Sequence, residues 1–159
     1  MSPRAAWRLE SLGFEKVYDY MPGKADWFAS GLPKEGKLAN LPTIGEAARR
    51  DVPTCGLRDR IGDVRDQARM AGWDRCVVVN EDRVVLGLLR EEELSSDPES
   101  LVETVMRAGP ATFRPHEPVE KLAQRMRKRG ASSVLVTTPD GRLVGLLYRK
   151  DAECIVSKT

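Results

Sequence analysis

Few side chains in this chain of 159 residues combine a reactive type with a useful spacing. Cys55, Cys76 and Cys154 lie far apart and are odd in number, which argues against a disulfide framework. His116 is the only histidine, and no cluster has metal-ligand spacing. It precedes a helix start in a polar stretch, reads as exposed and is given no role. Cys55-Gly56-Leu57-Arg58-Asp59-Arg60 sets a cysteine ahead of arginines, the company that activates a thiolate, yet a strand residue facing a core or cleft reads the same way. The basic run Arg125–Arg129 is a wet helix face or, alternatively, a phosphate contact. No catalytic constellation emerges, and the expectation is a protein that is not an enzyme.

Bulk composition bounds the possibilities further. Hydrophobic residues make up 41% and charged residues 31%, ordinary for a soluble globular protein. Lysine and arginine total 26 against 24 acids, a net charge of +2 that is too balanced to predict nucleic-acid binding. The apolar runs Val84–Leu89 and Val134–Val136 are far too short for a membrane span. No apolar core of a signal peptide follows Met1-Ser2-Pro3-Arg4. A cytoplasmic location is therefore expected, with no membrane partner.

What positions these residues is a repeat. Sliding the chain over itself by 58 residues aligns Thr54–Glu93 with Thr112–Asp151 without a gap. Thr54/Thr112, Arg69/Arg127, Gly72/Gly130, Val78/Val136, Asp82/Asp140, Gly87/Gly145, Leu88/Leu146 and Leu89/Leu147 are identical, and most other pairs keep their character. Ile61, Val64, Ala68 and Ala71 recur at helical spacing, as do Val119, Leu122, Ala123 and Met126. Gly72 and Gly130 sit where a helix end needs positive φ. A β-rich run follows (Cys76–Val79 or Val134–Thr137), then a turn, a second strand (Val84–Leu88 or Leu143–Leu147) and another helix. Thr43 with Glu46 reads as a capping box opening a leading helix for the first copy. Pro98-Glu99-Ser100 opens the second, with Leu101, Val102, Val105 and Met106 on one face. Neither copy of about 50 residues can bury its strands alone, so the two should share one core.

This grammar resembles a tandem pair of cystathionine-β-synthase (CBS) domains, a Bateman module, over residues 43–156. The resemblance rests on Val102-Glu103-Thr104-Val105-Met106, on Gly145-Leu146-Leu147-Tyr148-Arg149-Lys150-Asp151 and on the counterpart Gly87-Leu88-Leu89-Arg90-Glu91-Glu92-Glu93. It implies an α+β fold of two β-α-β-β-α repeats packed pseudo-symmetrically, two clefts between the paired sheets and a homodimer. The expected division is 1–40 for an N-terminal segment, 41–96 for the first repeat and 97–159 for the second.

The resemblance also implies a regulatory module that senses an adenine nucleotide (AMP, ADP or ATP) or S-adenosylmethionine, with no required cofactor, on behalf of an unidentified regulated protein. In such pairs a carboxylate six residues after the strand glycine holds ribose hydroxyls, and a carboxylate can accept two hydrogen bonds at once. Asp151 takes that position in the second copy and Glu93 in the first. The usual hydroxyl residue is Tyr148 in one copy and Arg90 in the other, so both depart from the pattern, and the cleft near Asp151 is the preferred one. By position Thr112 and Phe113 would line the base side, Ser132 and Ser133 the adjacent strand entrance, and Arg149 or Lys150 would reach phosphates. Thr54 and Glu93 are the weaker first-copy equivalents. Other readings stand beside these: Asp151 as a helix cap, Thr54 and Thr112 as turn caps, Glu93 as a solvated helix residue. A pair that has lost its ligand and serves only dimerisation or protein interaction is the alternative function.

Residues 4–36 hold six of the nine aromatics: Trp7, Phe14, Tyr18, Tyr20, Trp27 and Phe28. They read as a helix over Pro3–Leu12, a break at Gly13, a strand over Val17–Tyr20, a turn at Gly23 and a helix over Ala25–Ser30. So short a piece cannot bury six aromatics itself, so it is expected to dock on the repeats or on a dimer partner. Arg4–Phe14, Val17-Tyr18-Asp19-Tyr20, Gly23, Trp27, Gly31-Leu32-Pro33 and Glu35-Gly36 resemble the C-terminal end of a rhodanese domain. Rhodaneses transfer sulfur through a cysteine on a loop that would precede this segment; with no such loop expected here, residual sulfur handling is the third reading.

Overall fold

A computed structural model describes residues 3–21, 23, 26–27, 30–36 and 41–158. Its helices are α1 (Pro3–Ser11), α2 (Ile44–Ala47), α3 (Ile61–Met70), α4 (Glu91–Leu94), α5 (Val102–Val105), α6 (Val119–Arg129) and α7 (Arg149–Val156). Its strands are β1 (Thr54–Cys55), β2 (Cys76–Val79), β3 (Val85–Leu89), β4 (Arg107–Ala108), β5 (Thr112–Phe113), β6 (Ser133–Thr137) and β7 (Leu143–Tyr148). One sheet runs β1-β2-β3-β4 and the other β5-β6-β7. In both, the short first strand pairs parallel with the second, and the second pairs antiparallel with the third. The expected α+β repeat, β-α-β-β-α, is present twice.

The unbroken apolar runs follow from burial on both faces, which removes the polar alternation of a half-exposed strand. Along β2, Cys76 and Val78 face α3, whereas Val77 faces the other sheet. Along β6, Val134 and Val136 face α6, while Leu135 meets Val77, Leu88 and Leu146 between the sheets. Gly72 (φ 74°) and Gly130 (φ 65°) take the left-handed conformation expected where α3 and α6 end.

The leading helices are exchanged. Ile44 and Ala48, ahead of the first copy, are buried among Val119, Leu122, Ala123 and Ala152 of the second. Val102, ahead of the second, is buried among Ile61, Val64, Leu89 and Leu94 of the first. Main-chain bonds fix both crossings: Ile44 N–H to Glu117 O (2.9 Å) and Val119 N–H to Pro42 O (3.0 Å), then Ile61 N–H to Ser100 O and Val102 N–H to Asp59 O (both 3.0 Å). Each crossing segment then lies along the last strand of the copy it has joined. Arg107 pairs with Leu88, and its counterpart Arg49 bridges Leu146. A Cβ at Gly145 would lie 2.5 Å from the Arg49 carbonyl oxygen, so only glycine permits this approach.

Several expectations are corrected. The helix opened at Pro98 begins at Val102, and Leu101 is 37% exposed, because Val102 fills the first-copy core in its place. Residues 17–20 form no strand, and no strand of the described residues pairs with them. Ala25 and Phe28, from the second expected N-terminal helix, lie outside the described residues. Not all of the aromatics dock on the repeats: Trp7, Phe14 and Tyr18 are 67%, 59% and 81% exposed in the single chain. Instead Tyr20 and Trp27 pack edge to face, and Trp27 Nε1 donates to Pro33 O at 2.6 Å. The segment closes partly on itself, tied to the body by the Lys34–Glu46 ion pair at 2.7 Å. Glu46 also accepts the Thr43 N–H and hydroxyl (2.9 Å each), as the capping box predicts.

Gly145→Val should therefore cost about 1–3 kcal/mol of stability through forced displacement of the Arg49 strand. Urea unfolding tests this, and wild-type stability in the variant would refute the close approach.

Candidate ligand clefts

The crossing builds two related clefts between the sheets, each walled by a strand entrance, a strand end and a crossing arginine. One is open. A cavity of about 270 Å³ is lined by Arg90, Arg107, Phe113, Arg125, Arg129 and Ser133, with Leu88 and Leu135 among its apolar walls. Arg107 is anchored there, donating to Glu93 and Glu92 at 2.5 Å each. Glu93 is 9% exposed and also accepts the Arg90 N–H at 2.9 Å. Burial raises its carboxyl pKa, but the Arg107 and Arg90 hydrogen bonds outweigh this and leave it below the usual range. Glu93 is thus a buried brace and not the solvated helix residue allowed above. Arg125 sits over the Phe113 ring at 5.3 Å and pairs with Glu117. Among the described residues, Arg90 and Arg129 have no ion-pair partner, so the cavity carries uncompensated positive charge.

The other cleft is filled. Exchanging the two copies through the same 58-residue period replaces Ala131 by Trp73, Ser133 by Arg75 and Arg107 by Arg49 (58 back), and Arg90 by Tyr148 (58 forward). Trp73 is 7% exposed and stacks on Tyr148 with ring centroids 5.8 Å apart. Arg49 lies over both rings, 5.9 Å from Trp73 and 5.5 Å from Tyr148, and its Nε donates to Asp151 Oδ2 at 2.9 Å. Arg75 sits over Tyr148 at 4.9 Å, grips Asp74 through two bonds of 2.8 Å and donates to the Ser133 hydroxyl. Tyr148 donates to Asp74 at 2.6 Å, and Lys150 lies 5.3 Å from its ring. Burial first, and the Asp74 bond second, push the Tyr148 phenol up to about 12. The Arg75 bond chiefly holds the Asp74 carboxyl far below the ordinary range.

The ten candidate residues are thus divided. Phe113 and Ser133 line the open cleft with Glu93 behind Arg107, whereas Tyr148, Lys150 and Asp151 belong to the filled one. Thr112 adjoins Phe113 in β5. Ser132 is exposed, and its carbonyl accepts the Arg149 N–H at 2.9 Å, tying β6 to the start of α7. Thr54 borders a separate shallow groove with Gly56 and Asp59. Asp151 lies in the first turn of α7, but its recorded bond is to Arg49. Arg49, Arg107, Trp73 and Arg75 were missed as site residues; Arg49 and Arg107 fall just outside the aligned window, although the same shift pairs them. Cys55 is 6% exposed in β1 against Cys76, whose thiol is pushed far up, chiefly by its hydrogen bond with Cys55 and then by burial.

The fold and its paired clefts define a duplicated, two-cleft module. Residues 102–152 match the CBS domain family, and the fold of the chain is that of the CBS-domain structures it resembles. No curated protein matches the sequence. Among solved structures, it resembles the cytosolic domain of the Mg2+ channel MgtE in complex with ATP (21% identity, TM-score 0.66) over 74% of this chain and 51% of that one. The chain thus spans about half of that structure's length. It also resembles the CBS domains of a transcriptional regulator from Streptococcus pneumoniae (21% identity, TM-score 0.64; 70% of this chain, 96% of that one). CBSX2 in complex with AMP is similar at 16% identity and TM-score 0.65, over 74% and 97% of the two chains. No helix of the described residues is long and apolar enough to cross a membrane.

Because the folded pKa of Asp74 is depressed, its stabilisation is complete at neutral pH and is lost as pH falls through and below the ordinary carboxylate range. Asp74→Asn should melt below wild type at neutral pH, and the gap should close toward about pH 2. A gap independent of pH would contradict the ion-paired role.

Proposed function

We propose that this chain is a regulatory, non-catalytic sensor that takes an adenine nucleotide in the open cleft beside Phe113, and not beside Asp151. The observation that carries this reading is the contrast between a cavity with unpaired arginines and a related cleft already filled by side chains. Phe113 offers an aromatic surface for the base, and stacking of this kind contributes about 1–3 kcal/mol. Arg90 and Arg129 supply charge for phosphate, and guanidinium geometry suits phosphate oxygens. Ser133 accepts from Arg75 and keeps its own hydroxyl hydrogen to donate. Glu93, engaged with Arg107, holds that arginine in the wall. The ATP and AMP of the MgtE and CBSX2 structures are ligands of this chemistry, and both carry phosphate. S-adenosylmethionine, with a cationic sulfonium and no phosphate, fits the arginines poorly.

Calorimetric titration should show AMP, ADP or ATP binding, weakening as salt rises, with S-adenosylmethionine weaker than the nucleotides. Phe113→Ala should lose about 1–3 kcal/mol of affinity. Absence of binding for all four ligands at millimolar concentration would overturn the sensor reading. A larger loss in Asp151→Ala than in Phe113→Ala would move the ligand to the other cleft.

An interaction module is the second reading, favoured by an apolar depression of about 240 Å³ lined by Leu41, Pro42, Val119, Ile155 and Val156. A homodimer built through this face should dissociate in Val156→Asp, measured by sedimentation. A wild-type chain that sediments as a monomer at high micromolar concentration would exclude it.

A further inference from the structure

The two clefts come from the same fold elements and retain the same brace, a crossing arginine on a carboxylate: Arg107 with Glu93, Arg49 with Asp151. They differ at the tripeptide that enters the second strand. In the open cleft it is Ala131-Ser132-Ser133, and in the filled one Trp73-Asp74-Arg75. We propose that Trp73-Asp74-Arg75 is a resident occupant of the second cleft, so that this chain takes one nucleotide where its architecture provides for two. The inference rests on the open cleft being a nucleotide site.

Trp73 and Asp74 bring the two things a nucleotide would bring, a flat aromatic ring and an anion. The Trp73 ring stacks on Tyr148 at an interplanar angle of 27°. The Asp74 carboxylate accepts hydrogen bonds from Tyr148 and Arg75 and so supplies negative charge to a cleft that also holds Arg49 and Lys150. Cationic groups and stacking partners are thus satisfied from within the chain. In the open cleft the corresponding tripeptide offers no ring and no carboxylate, and Arg90 and Arg129 stay unpaired among the described residues. Side chains that fold in place do not lose the translational and rotational freedom that a free ligand gives up, so the tethered occupant holds the cleft with an entropic advantage over a free nucleotide.

The test replaces the occupant by its counterpart in the full chain: Trp73→Ala, Asp74→Ser and Arg75→Ser together. Wild type and variant are titrated calorimetrically with AMP, and the stoichiometries per chain are compared. The expected result is one additional AMP bound by the variant, lost again on further substitution of Asp151→Ala. A cooperatively melting variant with the same stoichiometry as wild type overturns the proposal, whatever that stoichiometry is. The wild-type value separately decides the open-cleft reading, so the two can fail independently. If the triple variant does not fold, Trp73→Ala alone is judged by the same increment. The reciprocal variant Ala131→Trp/Ser132→Asp/Ser133→Arg should abolish wild-type binding, and retained affinity there would also overturn the proposal.

Discussion

The structure depends on two strand-like crossings, Arg49 against Leu146 and Arg107 against Leu88. Each takes the segment that leads one copy and pairs its main chain with the last strand of the other copy. Two glycines make this possible: Gly145 lets the Arg49 backbone approach directly, and Gly87 leaves room for the Met106 side chain beside the Arg107 strand. The same pairing delivers a guanidinium beside the carboxylate that opens the following helix. The bond from Arg49 to Asp151 spans 102 residues of sequence and is a local consequence of the crossing. Core closure and cleft construction are therefore one event: Val102 and Ile44 complete the two cores at the same time as Arg107 and Arg49 complete the two walls.

A gapless duplication forces the asymmetry into side chains, since the backbone frame is common to both copies. Three pairs carry most of it: Ala131/Trp73, Ser133/Arg75 and Arg90/Tyr148. In one cleft the larger members pack among themselves, and aromatic stacking, cation–π contacts and a carboxylate–guanidinium pair satisfy one another. In the other cleft the smaller members leave space, and of the arginines around it Arg90 and Arg129 have no ion-pair partner among the described residues, whereas Arg107 and Arg125 are paired. Burial is similar in the two copies, but polar satisfaction is not, and that difference sets which cleft remains available.

Much of the architecture was legible in the sequence. The period of 58 residues, the helical spacing of Ile61, Val64 and Ala68, and the capping pair Thr43–Glu46 are local signals that the structure carries directly. The exchange of leading helices was not legible. Ile44 and Val102 look alike on amphipathic helices, and nothing in their spacing says which core receives them. The open cleft was half legible. Position by position, Phe113 and Ser133 were named, yet the weight placed on Asp151 overlooked Trp73, whose volume in place of Ala131 was visible in the same alignment. The arginines were hidden for another reason: Arg90, Arg107 and Arg129 converge from three elements, and a linear reading treats each as a surface charge. The N-terminal aromatics show the limit of composition, since three of them remain exposed in the single chain.

Ser133 gives the two clefts a common atom. Its hydroxyl oxygen accepts from the Arg75 guanidinium of the filled cleft while its side chain lines the open one. A serine hydroxyl can accept and donate at once, so a phosphate bound at Ser133 as proposed would strengthen the oxygen that Arg75 holds, since chained hydrogen bonds polarise one another. Through Arg75 the change would reach Asp74, and through Asp74 the Tyr148 hydroxyl, at the N-terminus of α7. The side chains of the filled cleft thus form a continuous hydrogen-bonded connection from Ser133 to Tyr148, where α7 begins. A second mobile ligand there would exchange with solvent and carry that connection only part of the time, whereas a covalently tethered occupant keeps it continuously in place.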